Sequence, residues 1–106
     1  MVQGVIIRGT TPMQEFTLTQ PIDLISDIRI IYGQKGKALF TKTLADCIIV
    51  DKKIQVPLLQ EETLLLNPNK LLYVEIIIKL TDEQIIGSES PFAYRVIKSM
   101  NTEVFD

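Results

Sequence analysis

The chain has 106 residues, 46% of them hydrophobic and 23% charged, with a net charge of −2. That length suits one domain, able to bury about 60–70% of the surface its unfolded chain would expose, and the apolar content excludes a disordered tail. The charges are scattered, with no basic cluster to follow a phosphate backbone, so nucleic acid is excluded as a partner, and no apolar run is long enough to span a bilayer.

Short β-rich runs recur roughly every 8 to 14 residues, separated by turn residues, and no segment shows helical periodicity. The opening "MVQGVIIRGTTP" lacks the basic region of a signal peptide, so synthesis in the cytoplasm without a leader is expected. Residues 5–9 read as a first edge strand and 13–19 as a second, with Phe16 and Leu18 on one face. Residues 21–26 read as a turn, with Pro21 as breaker and Asp23 as local cap. In 27–33, Ile28, Ile30 and Tyr32 share one face and Arg29 and Ile31 the other.

"QKGK" at 34–37 predicts a hairpin turn into the strand 38–42. A second hairpin is expected around Asp51-Lys52, joining 47–50 to 53–59, with Ile54, Val56 and Leu58 inward. Pro57, on the opposite parity, suggests an edge or a bulge. Alternation then stops at Gln60-Glu61-Glu62-Thr63, where acids suit the start of a single helical turn. Leu64, Leu65 and Leu66 are expected to pin that turn over the open end of the core, and Asn67-Pro68-Asn69 signals a loop. The break is therefore a crossing between two sheets.

Residues 71–80 form the longest and most apolar run, hence a central strand, with Leu72, Val74, Ile76, Ile78 and Leu80 on one face and Tyr73, Glu75, Ile77 and Lys79 on the other. After a turn at 81–84, residues 85–99 read as one strand bent at Gly87 or Pro91, or as two short ones. The tail at 100–106 is expected to fray. The pattern predicts one all-β domain over 1–99: an immunoglobulin-like β-sandwich of about seven to eight antiparallel strands, with one short helical turn near 60–66. The Cys…Trp…Cys core of antibody domains is missing, since the chain has one Cys and no Trp.

Catalytic chemistry finds little to work with. There is no histidine, so Ser-His-Asp and Cys-His arrangements and zinc sites of Cys and His cannot be built. Glu61-Glu62 and Asp82-Glu83 are adjacent in turns, point in different directions and read as solvated loop acids. Cys47, in an apolar strand pattern, reads as a small core hydrophobe. No cofactor, metal or catalytic residue is expected. The sharper signal is on the surface. If 27–33, 71–80 and 91–99 are neighbours, then Arg29, Ile31, Tyr73, Glu75, Ile77 and Ile97 share an outer face, a row of apolar side chains flanked by charges that resembles a protein interface.

The stretches "TPMQEFTL", "IRIIYGQKGKALFTKTLADCII", "IQVPLLQEETLLL" and "VEIIIKLTDEQIIGSES" resemble a known family across about residues 9 to 99. It comprises short immunoglobulin-like β-sandwich proteins from tail and baseplate regions of phages and prophages of Gram-positive bacteria. In plan the chain is also similar, more distantly, to the N-terminal module of phage baseplate upper proteins. The resemblance implies a non-enzymatic structural or assembly module, found in a virion, whose partners are proteins: other tail components or a second copy. The alternative is a small module binding cell-surface carbohydrate, which would call for more exposed aromatics than Tyr73 alone. This chain departs from the family at Asp51-Lys52-Lys53, where a Gly is expected, and at Ile31 and Ile77, which are more apolar than the family pattern.

Overall fold

The structure, a computed structural model, describes residues 2–18, 22–87 and 92–100. Nine strands form two sheets: β1 (Val2–Ile7), β2 (Met13–Thr17), β3 (Ile25–Gln34), β4 (Lys37–Thr43), β5 (Ile48–Val50), β6 (Lys53–Pro57), β7 (Leu72–Leu80), β8 (Ile85–Gly87) and β9 (Phe92–Ile97). The large sheet runs β1-β9-β7-β3-β4, with β8 also on β7; the small sheet runs β2-β6-β5. This is an all-β, immunoglobulin-like two-layer sandwich.

Alternation decides which side of each strand meets the other sheet. Ile28, Ile30 and Tyr32 of β3, Ile54 and Val56 of β6, and Leu72 and Val74 of β7 are all fully buried. Together with Ile6, Phe16, Leu58, Leu66 and Val96 they form one continuous core. Phe16 of β2 meets Phe92 of β9 across the sandwich, ring centroids 5.3 Å apart. The Tyr32 hydroxyl donates to Gln14 Oε1 at 2.6 Å, a polar pin between sheets inside the apolar layer.

The β3–β4 hairpin turns on Lys35 and Gly36, both at positive φ (52° and 71°). Positive φ at both central residues is the type I′ turn, whose twist matches that of the strands. In the β5–β6 hairpin Asp51 takes φ 56°. A left-handed backbone favours Gly, and Asp is one of the few other residues that tolerates it.

The break at 60–66 is the crossing from the small sheet to the large one, made of a four-residue helix α1 (Gln60–Thr63) and a turn. Glu62 accepts the Leu59 N–H at 2.8 Å, the backward-reaching half of a capping box. Only Leu66 of the three leucines is buried; Leu65 is 59% exposed. The residue that anchors the crossing is instead Thr63, wholly buried. Its hydroxyl donates to Thr10 O at 2.7 Å and accepts from Gly9 N–H at 3.1 Å. Arg8 Nε donates to Leu66 O and Gln60 Nε2 to Gly9 O, so the β1–β2 link and the crossing are stitched together. Buried Gln34 clamps the loop behind them, donating to Asn67 O and Lys70 O and accepting from Asn67 N–H.

Several expectations are corrected. Nine strands among the described residues stand where about seven to eight are expected, and not all are antiparallel: β1 pairs β9 in parallel, Val5 beside Arg95 and Ile7 beside Ile97. Long separation in sequence frees that pair from the antiparallel order a hairpin imposes. β3, with ten residues, is longer than β7, with nine. Pro57 lies on the middle strand of the small sheet, but past Gln55, where β5 stops pairing, so its missing N–H breaks no ladder on that side. Residues 85–99 do form two short strands, both on β7. Pro21, Pro91 and residues 101–106 lie outside the described residues.

Candidate functional site

The positions that β3 and β7 turn away from the core are Asp27, Arg29, Ile31 and Gly33 on one strand and Tyr73, Glu75, Ile77 and Lys79 on the other. Register places them: Gly33 is opposite Tyr73, Ile31 opposite Glu75, and Arg29 opposite Ile77. On the next strand Ile85 stands opposite Lys79 and Gly87 opposite Ile77. On the other side Ala38 stands opposite Gly33. Each two-residue step along one strand is matched by one step across to the next. Ala38, Ile31, Ile77 and Ile85 therefore form a single apolar diagonal over β4, β3, β7 and β8.

The flanks of this diagonal differ in charge and bulk. Arg29 and Lys79 lie along one side, with Asp27 beyond them, and Gly33, Glu75 and Gly87 along the other, with Tyr73 beyond them. Arg29 and Glu75 are exposed, and neither is in an ion pair among the described residues; Lys79 reaches only its exposed neighbour Glu83 at 3.4 Å. Ile85 is 68% and Tyr73 42% exposed, while Ile31 and Ile77 are half-buried between their neighbours. Shallow depressions lie on both sides of Ile31, one walled by Tyr73, Gly33 and Ala38, the other by Arg29, Ile77 and Ile85.

Five of the six residues expected to share a face are thus together: Arg29, Ile31, Tyr73, Glu75 and Ile77. Ile97 is on the same outer side but apart. It continues β9 past the start of β7, about 27 Å along the strands from Ile77 at about 3.3 Å per residue, beside exposed Ile7 and Val5. Ile85 and Ala38 were missed in sequence because each needs a hairpin register. Counting back from the 81–84 turn, which places Ile85 opposite Lys79, would have found the first.

The described residues contain no group of three or more Cys, Asp or Glu placed to hold a metal ion. Glu61 is exposed, but Glu62 is not the solvated loop acid expected: it pairs with the ammonium of buried Lys42. Half-buried Cys47 packs against the core, and its thiol donates to Thr43 O at 3.2 Å. Burial, then the Asp46 carboxylate, push its pKa up, away from the reactive thiolate.

The fold is that of an immunoglobulin-like sandwich, and this face is the flat outer side of its large sheet. Solved structures agree on the fold. The chain is similar to the extracellular domain of mouse leukocyte-associated immunoglobulin-like receptor 1, solved as a strand-swapped dimer, at TM-score 0.52 and 15% identity over 90% of this chain and 87% of that one. A second structure of a strand-swapped dimer of the same receptor's immunoglobulin-like domain gives TM-score 0.53 and 15% identity over 89% and 86%. No protein-family model matches the chain, and no curated protein does. No helix among the described residues is long and apolar enough to cross a membrane.

Proposed function

We propose that this chain is a non-enzymatic structural or assembly module that acts through protein contacts made by the outer face of its large sheet. The observation that carries this reading is the outward-facing apolar diagonal of half-buried Ile31 and Ile77 between exposed Ala38 and Ile85, beside Arg29 and Glu75, which are in no ion pair among the described residues. A row of aliphatic side chains with charges at its rim is the anatomy of a contact surface. Immunoglobulin-like domains are typically binding or structural units, and the receptor structures that share this fold are dimers by description.

The setting we propose is a phage or prophage tail, at or near the baseplate, with the chain made in the bacterial cytoplasm and carried in the virion. That part rests on the motif resemblance over residues 9 to 99. Mass spectrometry of purified particles tests it. Recovery of the chain with tail proteins supports the assignment, and its absence from every particle fraction refutes it.

One observation favours a second reading, binding of cell-surface carbohydrate: the exposed Tyr73 ring beside a depression floored by Gly33. Sugars stack on such rings, but a single ring makes a small platform. A glycan array comparing the chain with Tyr73→Ala decides; signal lost with the ring would favour this reading over the first.

A further inference from the structure

We infer that a second copy of this chain docks on the outer face about a two-fold axis running along the Ile31–Ile77 diagonal, so that each Arg29 meets the partner's Glu75. This rests on the reading of that face as a contact surface and adds to it the occupant and the register.

The argument is one of charge and shape complementarity. Ile31, Glu75, Ile77 and Arg29 are the corners of one two-strand, two-row cell, with Ile31 opposite Glu75 and Arg29 opposite Ile77. The two isoleucines hold one diagonal and the opposite charges hold the other, each diagonal about 7–8 Å long. Arg29 and Glu75 are within reach of each other along that diagonal, yet no ion pair among the described residues includes either. Turning a second copy by 180° about the isoleucine diagonal leaves that diagonal in place and exchanges its flanks. Ile31 then lies over Ile31 and Ile77 over Ile77. Arg29 then falls within about 3 Å of the point over Glu75, twice, once in each direction, a gap that the long Arg side chain spans.

Shape follows the same operation. The flank carrying Arg29 and Lys79 is bulky, and the flank it would cover holds Gly33 and Gly87 around Glu75. A Cβ added at Gly87 would meet nothing within 4 Å, so the space is open there, whereas one at Gly33 would meet Lys37 O at 2.7 Å. Such a contact is isologous and closed: it ends at the dimer and builds no filament. Strands spaced about 4.8 Å apart, with two-residue steps of about 6.7 Å, set the diagonal at about 35° to the strands, so the facing sheets cross at about 70°.

Charge reversal tests this on the full chain, with self-association followed by sedimentation from micromolar to millimolar concentration. The wild-type chain is expected to dimerise. Arg29→Glu and Glu75→Arg are each expected to weaken the dimer by about tenfold or more, because each sets like charges face to face twice. The double variant R29E/E75R is expected to recover the wild-type constant, which no loss of folding could imitate. A double variant no tighter than the singles, a dimer indifferent to all three, or a wild-type chain monomeric throughout overturns the two-fold register. In those cases loss of binding to any tail protein in Ile31→Asp would still uphold the contact face. Self-association that survives both Ile31→Asp and Ile77→Asp overturns the register and the contact face together.

Discussion

Removing one partner of a buried ion pair harms the fold according to which charge is left behind, and the Lys42–Glu62 pair makes that unequal. The Lys42 side chain is 6% exposed, that of Glu62 19%, and Glu62 also accepts the Leu59 N–H. Glu62→Ala strands an ammonium away from water and removes a cap, so it is expected to cost about 3 kcal/mol, the lower end for breaking a buried pair. Lys42→Met keeps most of the aliphatic stem and leaves a carboxylate that still has a backbone donor and some water, so about 1 kcal/mol is expected. With both changes no charge is stranded. The loss is then about 1.5 kcal/mol, chiefly the cap and imperfect packing. Lys42→Met is therefore expected to destabilise the wild-type chain yet stabilise the Glu62→Ala chain. Urea unfolding of the four proteins, with a common m-value, measures this. If Lys42→Met lowers the midpoint in both backgrounds, the unequal burial of the two charges is not what governs this pair.

Three further outcomes follow from the structure. Gly36→Ala, at φ 71°, is expected to lose about 1 kcal/mol and Gly36→Asn only a few tenths, as read by thermal unfolding, because Asn tolerates the left-handed backbone of a type I′ turn. Thr63→Val keeps the shape but leaves the buried Gly9 N–H without its acceptor, so about 2 kcal/mol is expected; an unchanged melting temperature would mean the crossing is not anchored there. Burial raises the Tyr32 pKa well above its ordinary value near 10. The folded chain keeps that proton where the unfolded chain releases it, so stability falls as pH rises above 10. Tyr32→Phe is expected to flatten this alkaline loss in denaturant titrations, while at neutral pH it costs about 1 kcal/mol for the bond to Gln14.

Period-two alternation made most of the fold legible. The inward rows Ile28-Ile30-Tyr32, Ile54-Val56-Leu58 and Leu72 through Leu80 are the core, because a strand buried on one face has no other way to hide them. The inter-sheet crossing was legible too, as a break in that alternation with acids at a helix start. What anchors it was not. Thr63 and Gln34 are polar, and their burial depends on carbonyls and N–H groups far away in sequence, at Gly9, Thr10, Asn67 and Lys70. Lys42 was hidden for the same reason. The parallel β1–β9 pair leaves no local mark, since neither strand's pattern depends on the direction of its neighbour. The outer face was half legible: parity named Ile31 and Ile77, while adding Ala38 and Ile85 required knowing how two hairpins slide their strands.

The pairing of β1 with β9 also governs how the domain answers a mechanical load. The two strands run in the same direction, so residue 2 and residue 97 lie at opposite ends of their shared ladder. Tension between those points drags one strand lengthwise past the other and stresses every rung at the same moment, with none peeled away ahead of the rest. A tether attached through these two strands would stretch little before it yields, and then let go abruptly.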